Sequence, residues 1–142
     1  MIVMSSAANK SLIIEAPSRF DAVRDAARVV RSFLATNGID EADMDSWELV
    51  AVEAGNNAVQ YTPPSVKNSV NEQGHEHSVR FLMNAWDDCV ELCVTDRSKN
   101  FDWPEDQALP ADDAEHGRGI FLITALTNSV RYVRGSSENF LI

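Results

Sequence analysis

The sequence predicts a two-layer α/β sandwich: a mainly antiparallel mixed sheet with helices on one face. Three observations carry that prediction. Hydrophobic residues recur with a two-residue period in some stretches and at three- and four-residue steps in others, so both strands and helices are present. These stretches are grouped rather than strictly alternating, in the order strand, two helices, hairpin, irregular stretch, helix, hairpin. The strands that follow one another closely are joined by turns short enough for antiparallel pairing. A doubly wound parallel fold is disfavoured by the same order.

Ser11-Leu12-Ile13-Ile14-Glu15 reads as the first strand, closed by Ala16-Pro17. Ser18 is placed to cap a helix with Phe20, Val23, Ala26, Ala27, Val30 and Leu34 on one face, and Asn37-Gly38 to end it. Arg19, Asp21, Arg24, Asp25, Arg28 and Arg31 lie on its polar side. Asp40 to Asp45 is an acidic lead-in suited to the positive N-terminal end of the next helix. That helix runs from Trp47 to Tyr61, with Trp47, Val50, Ala51, Ala54, Ala58 and Tyr61 as its apolar stripe and Pro63-Pro64 as its stop. Residues 65–77 are polar and aperiodic and read as a loop. Its two histidines, His75 and His77, have no third ligand nearby to make a metal site.

Residues 78–85 and 89–95 alternate around Trp86-Asp87-Asp88 and form a β-hairpin, with Val79, Phe81 and Met83 facing the same way as Val90, Leu92 and Val94. Residues 96–116 are irregular and rich in carboxylates; a stretch of that length inside a domain is functional or disordered. The apolar run Ile120 to Leu126 fits strand or helix by composition, and its glycine-led start and Thr127-Asn128 exit favour a short helix. Residues 130–134 and 139–142, around Gly135-Ser136-Ser137, make a closing hairpin.

A chain of 142 residues fits one domain, here residues 10–142 behind an N-terminal tail of residues 1–9. A formal net charge of −10 argues against nucleic-acid binding and against an anionic membrane surface. No apolar run is long enough for a membrane helix, and no secretory signal is recognisable. Cys89 and Cys93 read as two buried reduced thiols, and a cytoplasmic location follows as the expectation.

Three features bear on chemistry. Glu53 and Asn57 stand one turn apart on the edge of the second helix, bordering its apolar stripe, with the poor helix formers Gly55-Asn56-Asn57 between and beside them. A solvated helix edge explains such a pair as well as a functional site does. Val94-Thr95-Asp96 places a carboxylate at the end of an apolar strand, where it can accept from an exocyclic amine or cap a turn. Gly117-Arg118-Gly119 opens a helix, where backbone N–H groups can approach phosphate oxygens; a simple turn is the plainer reading.

Together, in this order, these features resemble the GHKL superfamily of ATP-binding domains, whose fold is the Bergerat-type sandwich. The nearest likeness is to its small bacterial branch, the anti-sigma-factor protein-serine kinases. The matching stretches are Glu53-Ala54-Gly55-Asn56-Asn57-Ala58, Val94-Thr95-Asp96 with Phe101-Asp102, and Gly117-Arg118-Gly119 followed by Ile120-Phe121-Leu122-Ile123. The resemblance runs from about Leu12 to Ile142. It implies that Asn57 binds the Mg²⁺ bridging the ATP phosphates and that Asp96 receives the adenine amino group. It further implies that Ser98 lies in the nucleotide site, that Gly117, Arg118 and Gly119 line the triphosphate, and that Glu53 is the general base towards a serine hydroxyl. Residues 103–116 become the ATP lid. The chain departs from the family pattern at Ser98 and Asn100, where glycines are common, and at Tyr61, where histidine is usual.

The resemblance therefore implies an ATP- and Mg²⁺-dependent serine kinase and anti-sigma factor. Its partners would be a sigma factor and an anti-anti-sigma (STAS-domain) protein, and it would be a homodimer. The alternative is a non-catalytic partner-binding module of the same fold with weak or no ATP binding. A globular domain with accidental motif similarity is the third reading.

Overall fold

Five strands and three helices make up the described residues, which in this computed structural model are 10–61, 78–96, 118–134 and 139–142. In chain order they are β1 (Lys10–Pro17), α1 (Phe20–Thr36), α2 (Glu41–Tyr61), β2 (Ser78–Ala85), β3 (Val90–Asp96), α3 (Arg118–Leu126), β4 (Tyr132–Arg134) and β5 (Asn139–Leu141). The expected tail at 1–9, the Pro63-Pro64 stop, the 65–77 loop with His75 and His77, the 135–137 turn, and the stretch holding Ser98, Asn100, Phe101-Asp102, the 103–116 lid and Gly117 all lie outside the described residues.

The strands form one sheet in the order β1-β2-β3-β5-β4. Every described pairing is antiparallel, so the sheet is antiparallel throughout these residues rather than mixed. The expected hairpin register holds: Phe81 pairs with Val94 and Met83 with Leu92. Since successive side chains alternate between faces, this register sends Val79, Phe81, Met83, Leu92 and Val94 into one core, where all five are buried. Leu12, Ile14 and Ala16 of β1 join them. On the opposite face Ser11 donates to Asn84 at 2.8 Å and Arg80 pairs with Glu15 at 3.1 Å, on either side of Ile13, which is 65% exposed. α1 and α2 cover only the inward face, which completes the two layers.

α1 buries Ala22, Val23, Ala26, Ala27, Val30 and Leu34. Two expectations at its start are corrected. Ser18 does not cap the helix; Arg19 holds the cap position with extended backbone and no side-chain cap bond, and the Ser18 hydroxyl is buried without a partner. Arg19 N–H donates to Pro17 C=O at 2.7 Å, so a tight turn leads into the helix and sets the entry angle. Phe20, expected on the core face, is 52% exposed at the first helical position, where the chain has only just turned into the helix. The other end is as expected. Gly38 takes φ 77°, and the N–H groups of Gly38 and Ile39 donate to Ala35 and Leu34 carbonyls at 3.3 and 3.2 Å. This is the paired closure that a left-handed glycine permits.

α2 starts at Glu41, six residues before the expected Trp47. The acidic lead-in is the first turn itself: Asp40 accepts from Asp43 N–H at 2.9 Å, capping the helix, while Glu41 and Asp43 face its positive end. Arg31 of α1 reaches Asp45 and, at 3.0 Å, Glu48 of α2, tying the two helices on their outer side. Both helices bury small residues in the core, Ala26 and Ala27 on α1 and Ala51 and Ala54 on α2. A Cβ at Gly55 would lie 2.6 Å from Val23 Cγ1 and 2.8 Å from Phe81 Cζ. Packing therefore selects Gly55.

The Gly55→Ala chain is expected to lose about 1 kcal/mol. Overpacking against Val23 and Phe81 costs about 1–3 kcal/mol, and alanine's better helix propensity returns at most about 1 kcal/mol. A urea midpoint that falls at constant slope checks this, and adding Val23→Ala should recover part of the loss.

α3 is a nine-residue helix, as the glycine-led start suggested, with Ile120 and Ile123 buried. The closing hairpin forms and docks through β5 on β3, with Arg131 and Ile142 exchanging backbone bonds of 2.7 Å at its far end. Neither cysteine is disulfide-bonded, and Cys89 is exposed and Cys93 partly exposed, so they are not the buried pair expected. Cys89 lies in the hairpin turn, outside the ladder, which is what exposes it.

Candidate nucleotide site

α2 is the shared wall of the core and the site. One side carries Val50, Ala51, Ala54, Ala58 and Val59 into the core, and the adjoining edge carries Glu53, Asn56 and Asn57, all partly buried. α2 packs against β3, the strand that ends at Asp96, and against α3, the helix that begins at Arg118. The elements that carry the motifs are therefore neighbours of α2. Asp96 is the last residue of β3 and pairs with Asn139; Arg118 and Gly119 form the first turn of α3. Ser98 and Gly117 are not among the described residues.

The closest approach joins two of the expected site residues. A Cβ built on Gly119 would fall 2.6 Å from Glu53 Oε2 and 3.6 Å from Glu53 Cβ and Cδ. The carboxylate thus lies in the space that a side chain at position 119 would occupy. Burial raises the Glu53 carboxyl above the ordinary carboxylate range. A carboxyl so raised accepts a proton more readily than an exposed glutamate, which suits a general base.

Asn57 and Asn56 show a second anomaly. Asn57 Nδ2 and Asn56 Oδ1 are buried and have no hydrogen-bond partner. An unsatisfied buried polar atom costs about 1–3 kcal/mol, so two in succession beside a partly buried carboxylate are what a site awaiting a polar ligand presents. Rotation of the Asn57 amide about its last torsion exchanges nitrogen for oxygen, which turns the unsatisfied position into a hard oxygen donor. That donor fits Mg²⁺, which takes few protein ligands and draws the rest from phosphates and water. Asn56 was not singled out as a site residue from the sequence. Its only signal there was its place in the Gly-Asn-Asn run.

A family model of the histidine kinase-like ATPase domain matches residues 16–142, and the chain belongs to that family. Comparison with curated proteins finds no match. Among solved structures, the crystal structure of the RsbU and RsbW domains of a Mycobacterium tuberculosis protein is similar in fold. Its TM-score is 0.64 at 19% identity, over 94% of this chain and 31% of that one. The chain thus spans about a third of that protein's length.

Proposed function

We propose that the chain is an ATP-dependent protein-serine kinase and anti-sigma factor, acting on a serine of an anti-anti-sigma (STAS-domain) partner. The observation that carries this reading is the α2 edge, where a desolvated carboxylate and an unsatisfied amide stand one turn apart, facing the helix that follows the glycine motif. Family membership supports ATP as the phosphate donor. The RsbW domain named in the similar structure supports the regulatory setting.

In this reading Asp96 binds adenine, Ser98 adjoins it, and Gly117, Arg118 and Gly119 hold the phosphates. Asn57 would hold Mg²⁺, which would supply positive charge to stabilise the transferring phosphate. Glu53 takes the proton from the serine hydroxyl as Oγ attacks the γ-phosphorus. The bond from phosphorus to the β-phosphate oxygen breaks and ADP leaves. Glu53 then returns its proton to water. The phosphoserine carries about two negative charges, which repel this acidic chain and release the partner. A sigma factor is the second partner, the working form is a homodimer, the lid is residues 103–116, and the setting is cytoplasmic. No helix among the described residues is long and apolar enough to cross a membrane.

Ser98 and Asn100, standing where the family commonly has glycines, favour a second reading: a partner-binding module of the same fold without catalysis. Calorimetric titration of Mg-ATP separates the two. Wild type is expected to bind, and Asn57→Ala to lose at least about tenfold in affinity, since one charge-assisted ligand contributes about 1.5–3 kcal/mol. No heat with wild type would leave the module.

A further inference from the structure

Glycine in the first turn of α3 needs a reason. It weakens a helix relative to alanine, and Gly119 has no left-handed backbone that would require it. The reason the surroundings offer is space for one group. A side chain at 119 would start 2.6 Å from Glu53 Oε2, whereas Glu53 Cβ and Cδ stand at 3.6 Å, ordinary contact. Only the tip of Glu53 is in the way. Gly55 differs in kind, because the atoms it clears belong to the fully buried Val23 and Phe81, which have nowhere to go.

We propose that Gly119 is a positioning residue for Glu53: its missing side chain is the slot that holds the carboxylate on line for the serine proton. The proposal rests on the kinase reading above and adds to it that Gly119 acts on the base as well as on phosphate.

The test compares wild type, Gly119→Ala, Glu53→Asp and the double variant, all in the full chain. Gly119→Ala is expected to melt within a few degrees of wild type and to bind Mg-ATP within about threefold. Its kcat for phosphate transfer should fall by about 10²-fold with little change in KM, the loss that a misplacement of about 1 Å produces. Aspartate is one methylene shorter and vacates the slot, so in the Glu53→Asp background the same alanine should cost less than about threefold. Equal losses in both backgrounds, or a loss of ATP affinity, would overturn the proposal and leave Gly119 a phosphate contact alone.

A crystal structure of Gly119→Ala without nucleotide gives a readout independent of activity. The Glu53 carboxylate should move by about 1 Å to regain ordinary contact, with α2 and α3 in place. A carboxylate that stays while α3 retreats would refute the slot. If wild type neither binds Mg-ATP nor transfers phosphate, the kinase reading fails on its own, and the crystal structure decides whether the slot exists.

Discussion

Glu53→Gln is expected to lower phosphate transfer by about 10²–10⁴-fold while Mg-ATP still binds with unchanged heat, since glutamine keeps the shape and removes only the proton acceptor. Two further measurements follow from the direction in which burial shifts this carboxyl. With Glu53 as the proposed base, its ionised form would be the active one, so wild-type transfer should rise with pH through a value above the ordinary glutamate value of about 4.3. Stability runs the opposite way. A carboxyl raised in the folded state contributes stability that is present below its unfolded value and is lost as pH rises through its folded value. Glutamine cannot ionise and escapes that loss. Glu53→Gln should therefore melt no lower than wild type at pH 7, which scanning calorimetry would register. Undiminished transfer would remove Glu53 from the chemistry, and a large drop in melting temperature would make it a structural residue instead.

Phe81→Ala should produce the largest loss of stability of any single change considered, about 3–5 kcal/mol. Phe81 is fully buried at the middle of β2, pairs with Ile14 on one side and Val94 on the other, and lies beneath Gly55 of α2. The alanine leaves a cavity that three elements would have to collapse to fill. Against a total stability of about 5–15 kcal/mol this is a severe loss, read as a fall in urea midpoint. Ile13→Ala on the uncovered face of the same sheet is the control: the side chain is 65% exposed, and a change below about 0.5 kcal/mol is expected. Comparable losses at the two positions would mean that the outer face is covered in solution.

The contrast between these positions shows what the sequence could and could not disclose. The hairpin register was legible because a two-residue period admits only two answers, and one of them puts Phe81 and Met83 in water. The end of α1 was legible because Asn37-Gly38 fits one closing geometry. The start of α2 was hidden because its first turn is acidic rather than apolar, so the helix announces itself by Asp40 and its partner Asp43 and not by periodicity. Ser18 misled because cap preference is local, while the turn at Pro17 set the chain's direction first.

For the site, Glu53 and Asn57 were visible as polar residues bordering an apolar stripe, and the order of the motifs tied them to Asp96 and Gly117-Arg118-Gly119. The difference between Gly55 and Gly119 was not visible. Both are glycines in helices; one clears core carbon and the other clears a carboxylate oxygen, and only the packing of α2 on α1, β2 and α3 separates them. Asn56 stayed unmarked for the same reason, since its unsatisfied oxygen is a property of burial.

β1 stands at the end of the strand order, so among the described residues no strand lies beyond it. An eight-residue strand with no partner on its outer side among the described residues is the kind of edge that invites templated polymerisation, in which one molecule adds its strand to the next. The strand carries its own guards. Pro17 at one end offers no N–H, Lys10 at the other brings charge, and Glu15 keeps a carboxylate near the rim. Neutralising the two guards at the strand's ends, as in Lys10→Val with Pro17→Val, should speed fibril formation on agitation without unfolding the domain. The resistance of this chain to self-templating would then reside in its first strand, and not in the edge of α2 on which the proposed chemistry depends.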